Sequence, residues 1–368
     1  MMLCGTVHHG LNVTAVGGDK LSRGLTLEGL SVSYFLRASR MYDSLMQMGR
    51  WFGYRPGYLD LCRIYMPADL RDWFEHVARA AEDLRDQLDH MAAIGATPKE
   101  YGLRVETHDV LMVTATNKQR YGAEYNLSYV REVKFPTLFS TRPEEVKWNA
   151  DLVADALAAM GAPEADATRP NGSRIAGSLW RGVGGFAIRD LVKAYKTHPL
   201  ALGFRGAAIA EYINAQLEIG ELVDWTVALL EGEGGALPYA QFGEIRTIER
   251  AQDKEETRAD LYKVRTILSP RDEAIDLTAD EYEAAMTAAR NARPEKGDAP
   301  AHPGGIQIRC ARSAKRGLLL LYPLHPELAK SPVRIPIIAP LVSFPDSPNA
   351  RTFRVMANTV FQRQEFVG

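Results

Sequence analysis

Residues 16–55, VGGDKLSRGLTLEGLSVSYFLRASRMYDSLMQMGRWFGYR, decide how the fold is read, and the flanking chain is read outward from them. A glycine-rich polar loop leads into Leu30–Leu36, a short run of aliphatic, β-branched and aromatic residues with the character of a buried strand. Tyr42–Met48 then reads as a helix ending at Gly49. Upstream, residues 11–16 (LNVTAV) form another strand-like run. Downstream, Leu59–Tyr65 (LDLCRIY) alternates apolar and polar residues until Pro67 closes it. From Ala68 to about Ala93, Leu70, Phe74, Val77, Ala81, Leu84, Leu88 and Met91 recur at alternating four- and three-residue steps. That spacing puts them on one face of a helix, with Asp72, Glu75, Arg79 and Glu82 off it. Strand, helix, strand, helix is the grammar of an α/β layer.

The end of the stretch carries its chemistry. Arg50 and Arg55 lie five residues apart, bracketed by Gly49 and Gly53 and preceded by Gln47. Guanidinium is always charged and forks onto phosphate oxygens, so this pattern points to phosphate. The loop Lys20-Leu-Ser-Arg-Gly-Leu-Thr26 offers Ser22, Arg23 and Thr26 as polar contacts, and Gly24 permits close backbone approach. By itself that loop is a glycine-rich turn; ahead of Gln47–Arg55 it reads as a phosphate- or ribose-facing segment. Trp51, Phe52, Tyr54 and Tyr58 crowd the arginines. They suit packing of the loop against its own lobe, or base stacking worth about 1–3 kcal/mol per base.

VGGDKLSRGLTLEGL, followed by MYDSLMQMGRWFGYRPGYLDLCRIYMP, resembles the core segment of the Z-one (Z1) domain family of endonuclease-type bacterial proteins. LMVTATNKQR (Leu111–Arg120) and IRCARSAKRGLLLLYPLHP (Ile308–Pro326) are similar to the same family. Such proteins join a superfamily 2 helicase-like ATPase core to a dedicated C-terminal region and occur in restriction-like phage-defence gene clusters. The resemblance implies an α/β chain with a partial second RecA-like helicase lobe, then a mixed helical and extended accessory region, then a mainly β C-terminal domain. It implies that Arg50 is the arginine finger, with Arg55 second and Gln47 positioning water or the γ-phosphate. The arginines of the matching helicase motif are typically three apart rather than five. Gly24, Thr26, Glu28, Gly49 and Gly53 would form the nucleotide side of the site, although an acidic residue usually stands where Thr26 does. Lys20, Ser22, Arg23, Asn117, Lys118, Arg120, Arg309, Arg312 and Arg316 would face nucleic acid.

The cofactors implied are ATP and Mg²⁺, shared with another lobe, because no Gly-x-x-x-x-Gly-Lys-Ser/Thr phosphate loop occurs in the chain. The chain is accordingly expected to be the C-terminal part of a longer protein, or half of a split one, inactive as an ATPase alone. Its expected partners are DNA, an upstream phosphate-loop lobe and other defence-system proteins. Two rival functions stay open: a metal-dependent DNA endonuclease domain, and a non-catalytic module binding nucleic acid or protein. For the nuclease, Glu145-Val-Lys147 with Asp109 is a weak candidate, and His8–His9 lacks a partner set for zinc. The pair Asp272–Glu273 is of the type that holds Mg²⁺ in an ATPase, but it follows Ser269-Pro270-Arg271 rather than an apolar strand.

Composition agrees with a globular chain: 368 residues, 46% hydrophobic and 24% charged, suit two or three domains. No apolar run nears the ~20 residues that span a bilayer, so no membrane partner is expected. The three cysteines are scattered and the N-terminus lacks a signal-peptide pattern, which points to the cytoplasm. The net charge of −2 is uneven: residues 1–66 hold seven Lys/Arg against four Asp/Glu, and 309–368 hold nine against three. Polyanion contact is therefore expected at the ends. Arg309, Arg312, Lys315 and Arg316 would form a phosphate-facing strip or merely a basic hairpin.

The domain plan that follows is 1–95 for the partial lobe, 96–290 for the mixed region, 291–305 (NARPEKGDAPAHPGG) as linker and 306–368 for the basic β domain. Within it, Trp148–Met160, Ile209–Glu218 and Val223–Glu231 read as helices, and Gly182, Gly184 and Gly185 as a turn that also leaves room for a phosphate. Thr278-x-x-Glu281 reads as a capping box, and IQIRCA (Ile306–Ala311), GLLLLYPL, VRIPIIAPLVSF and TFRVMANTVF as strands.

Overall fold

The first described elements are a parallel strand pair joined through a helix, in the strand–helix–strand order that residues 30–65 predict. The computed structural model describes residues 14, 16, 30–36, 41–49, 60–93, 103–107, 111, 113, 122–198, 201, 203–250, 261–292, 300–327 and 333–358. Strand β1 (Val32–Tyr34), helix α1 (Tyr42–Gly49), strand β2 (Arg63–Tyr65) and helix α2 (Ala68–Ala93) follow in order. β1 and β2 run parallel, with Val32 opposite Arg63 and Tyr34 opposite Tyr65. Because side chains alternate across a strand, Phe35 turns to the opposite face from Tyr34. There it joins Tyr42, Leu45, Leu70, Val77 and Ala80 in a core under both helices. Tyr34 and Tyr65 stack at 4.7 Å on the other face, which is exposed.

Helix α2 spans the predicted residues, but its buried face ends earlier than the periodicity implies: Leu88 is exposed and Gln87 is buried. The cause is strand β3 (Arg104–Glu106). The Gln87 amide accepts from the Arg104 N–H at 2.9 Å and donates to the Arg104 carbonyl at 3.0 Å. A side-chain amide thus satisfies both backbone groups of one residue, which burial requires. Strand β4 (Gly122–Leu127) completes the elements before residue 128.

The second unit begins with β5 (Val133–Lys134), β6 (Leu138–Ser140), helix α3 (Pro143–Ala159), β7 (Gly177–Gly184), α4 (Gly185–Ala194), α5 (Gly206–Glu218) and β8 (Asp224–Leu230). It continues with β9 (Ala236–Pro238), β10 (Glu244–Arg246), β11 (Leu261–Lys263), and helices α6 (Pro270–Glu273), α7 (Ala279–Asn291) and α8 (Gly305–Ala311). Strands β12 (Arg316–Leu324) and β13 (Ile337–Ser343) finish it. A last strand, β14 (Phe353–Asn358), lies between β3 and β4 in a three-stranded sheet of the first unit.

The second unit is organised on one five-stranded sheet, ordered β5-β13-β12-β8-β7. β12 and β8 are parallel and the other neighbours antiparallel. Leu318, Leu320, Tyr322, Leu324, Ala339 and Leu341 are buried at its centre. Strands covered on both faces read as continuous apolar runs rather than alternating ones. That explains a correction: Val223–Glu231, expected as a helix, is strand β8. A second correction is Ile306–Ala311, expected as a strand, which lies in helix α8. The domain plan changes with them. β12 sits between β13 and β8, so 306–353 is built into the same unit as 126–290, and 291–305 divides no compact unit.

One prediction about local structure holds. Thr278 caps α7 in a full capping box, with the Glu281 N–H donating to its hydroxyl at 3.2 Å and the Thr278 N–H to the Glu281 carboxylate at 2.9 Å. Gly182, Gly184 and Gly185, expected as a turn, are instead the end of strand β7 and the first residue of helix α4, which follow each other directly; Gly182 takes φ +71° at an irregularity of the strand. A Cβ at Gly185 would lie 2.3 Å from the Leu222 carbonyl, so the close approach there is made by the protein's own backbone. Among the described residues no helix is long and apolar enough to cross a membrane.

Candidate functional site

Gln47 lies exposed on the last turn of α1, and Gly49 is that helix's final residue. The amide is therefore presented outward at the start of the arginine-bearing segment. Arg50, Gly53 and Arg55 lie outside the described residues, as do Lys20, Ser22, Arg23, Gly24, Thr26, Glu28, Asn117, Lys118 and Arg120. Trp51, Phe52, Tyr54, Tyr58, Asp109, His8 and His9 do too. What the structure contributes here is the frame around them. α1 packs Tyr42 and Leu45 into the core and leaves Met46 and Gln47 outside, so the helix is anchored by one side only. The Tyr42 hydroxyl pairs with His76 Nε2 at 2.5 Å, tying α1 to α2.

Of the weak nuclease candidates, Glu145 and Lys147 lie among the described residues. Glu145 faces Arg142 and Lys147 faces Asp151, each on or beside helix α3 rather than on adjacent strands. Among the described residues no group of three or more His, Cys, Asp or Glu side chains could hold a metal ion.

The basic C-terminal residues correct the sequence expectation most sharply. Arg312 is buried, and its guanidinium grips Asp276 with two nitrogens at 2.7 and 3.0 Å. It also donates to the Glu273 carbonyl and the Ser343 hydroxyl, both at 2.8 Å. Ser343 in turn donates to Glu273 Oε1 at 2.7 Å, and Arg309 donates to the same oxygen at 2.7 Å. Arg316 contacts Glu281 and approaches Asp276 at 3.4 Å. Three arginines thus meet three carboxylates of their own chain, joining α6, α7, α8 and β13. Only Lys315 of the expected phosphate-facing strip is exposed. Burying charge without such pairing would cost several kcal/mol per ion. The arginines are therefore spent on the interior, and the strip is not a phosphate-facing surface.

Beside this network lies a hollow of about 380 Å³, lined among others by Arg169, Asn171, Arg271, Asp272, Tyr282 and His302. Arg169 donates to the Arg271 carbonyl at 2.7 Å and to Asp272 Oδ1 at 2.8 Å. The Tyr322 hydroxyl donates to the other Asp272 oxygen at 3.4 Å. Burial first, and the Asp272 charge second, push the Tyr322 phenol above its ordinary range, so it stays a donor. No spacing in the sequence links Arg169 to Asp272, which stand 103 residues apart. The Asp272–Glu273 pair was the one visible trace of the site.

Residues 6–112 match the family model of the Z1 domain. No curated protein and no solved structure matches the chain. The Z1 match encloses the Lys20–Thr26 loop, β1, α1, the Gln47–Arg55 cluster, β2 and α2. It ends before the arginine network and the hollow of the second unit.

Proposed function

We propose that the chain is the part of a DNA-acting, ATP-dependent helicase-like protein of anti-phage restriction-type defence that completes an ATP site formed with another lobe. Arg50 and Arg55 would supply guanidinium to the transferring phosphoryl group, with Gln47 orienting water or the γ-phosphate, and Mg²⁺ and the phosphate loop would come from the partner lobe. The observation that carries this is the Z1 match over residues 6–112, which covers both the glycine-bracketed arginines and the polar loop before β1. Two features add support. The β1–β2 pair is parallel, and parallel sheets are normally covered on both faces. Yet Val32, Tyr34 and Tyr65 stay exposed on one face of it, as a surface meant for another lobe would be. DNA contact falls to Lys20, Ser22, Arg23, Asn117, Lys118 and Arg120, since Arg309, Arg312 and Arg316 are paired internally.

The test is phosphate release by the purified chain, alone and mixed with a phosphate-loop lobe encoded beside it. The chain alone is expected to be inactive and the mixture active, with Arg50→Ala abolishing turnover while ATP binding persists. Arginine fingers contribute roughly 10³–10⁵ in rate in other NTPases. Turnover unchanged in Arg50→Ala would reduce the cluster to scaffold.

A further inference from the structure

We propose that the hollow beside the arginine network is a binding site for a small phosphate monoester carried on a flat ring, of mononucleotide size. The inference is independent of the ATP site above and concerns the other compact unit. A volume of about 380 Å³ falls at the lower end of small-ligand sites, which run from roughly 300 to 1,000 Å³.

Its walls separate into a fixed part and an available part. Arg169 and Asp272 neutralise each other, and Arg169 is further held by the Arg271 carbonyl, so that wall is rigid before anything binds. The Arg271 guanidinium and the His302 imidazole line the same hollow and have no hydrogen-bond or ion-pair partner among the described residues. Asn171 is oriented as well. Its Oδ1 accepts from the Ser173 N–H at 3.1 Å and the Ser173 hydroxyl at 2.7 Å, which leaves its NH₂ group to donate. One unpaired guanidinium, one imidazole and one oriented amide are the donor set for a phosphate group, which takes forked, charge-assisted hydrogen bonds. Pro170, Pro303 and the Tyr282 ring supply apolar surface in the same hollow, suited to a planar ring rather than to a free inorganic ion.

Apart from the Asp272–Glu273 pair the sequence gives no sign of this site, because its donors come from the Arg169–Ser173 turn, the start of α6 and the segment before α8. Only the packing of α6 against strand β12, and of α7 against α8, brings them together.

Calorimetric titration of the full chain with AMP, in EDTA, tests the proposal. EDTA removes Mg²⁺, and AMP lacks the phosphates that an arginine finger serves, so the ATP site does not contribute. Saturable binding is expected, with Arg271→Ala and His302→Ala each weakening it about tenfold or more, as loss of a charge-assisted bond predicts. Arg271 is exposed and His302 partly so, and unchanged thermal melting would show that both variants fold. Arg50→Ala should bind AMP as the unaltered chain does, which separates this site from the proposed ATP site. Absence of saturable AMP binding overturns the proposal. So does adenosine binding as tightly as AMP, or affinity indifferent to both substitutions.

Discussion

Replacing Arg312 by Ala tests the internal arginine network directly. The side chains of Arg312 and Asp276 are both wholly buried, so solvent does not screen the pair. Removing one partner of a buried ion pair costs about 3–5 kcal/mol, because the other charge is left uncompensated. Here Arg316 Nε remains 3.4 Å from Asp276 and retains part of the compensation. The Ser343 hydroxyl keeps its bond to Glu273 as well. The expected loss is therefore near the lower bound, about 3 kcal/mol. Asp276→Ala should cost a similar amount, since it strands Arg312 with only neutral acceptors, the Glu273 carbonyl and Ser343. The double variant should lose much less than the sum, because both single changes delete the same interaction. Urea unfolding followed by the fluorescence of buried Trp180 and Trp225 reads this out. With a slope of ~3 kcal/mol/M for a unit of this size, each midpoint should fall by about 1 M. Strictly additive single effects, or a midpoint shift below ~0.3 M, would refute the reasoning. So would an Arg312→Ala chain of full stability that has lost DNA affinity, which would restore Arg312 as a phosphate contact.

Gly317→Ala should also destabilise the second unit, because the added Cβ would lie 2.6 Å from ring atoms of Trp225, whose Nε1 is held by the Leu222 carbonyl at 2.7 Å. About 1–3 kcal/mol is expected from such overpacking, and an unchanged urea midpoint would contradict it. Stability should fall in alkali. Burial raises the phenols of Tyr195, Tyr212, Tyr239, Tyr262 and Tyr322 above their ordinary value. The unfolded chain then releases protons near pH ~10 that the native chain still holds, so their contribution is intact below that pH and is lost as pH rises beyond it. Flat stability through about pH 11 would show that these phenols titrate normally.

The parts of the fold legible in the sequence were those set by neighbours in the chain. Helix α2 announced itself by apolar spacing, α1 by its glycine stop, and α7 by the Thr278–Glu281 box, each a matter of one to four residues' separation. Even in α2 the pattern failed at Leu88 and Gln87, where a strand seventeen residues away claimed the glutamine. Val223–Glu231 misled because a strand in the middle of a sheet is buried on both faces, which erases the alternation that marks a strand. IQIRCA misled in the opposite sense. It alternates like a half-buried strand, but helix α8 exposes Ile306, buries Ile308 and brings Arg309 and Arg312, three residues apart, to Glu273 and Asp276.

From the sequence alone came the α/β character of the first unit, the candidate residues Gln47, Arg50 and Arg55, and the likeness to the Z1 domain, which the match over residues 6–112 supports. Tertiary structure alone decided what the charges are for. The excess of Lys and Arg after residue 308 looked like a surface for polyanions, because composition counts charges without their partners. Glu273, Asp276 and Glu281 stand 35 or more residues upstream of the arginines they meet. Whether a guanidinium faces solvent or a carboxylate depends on how strands and helices pack, and Coulomb attraction between such groups acts through space rather than along the chain.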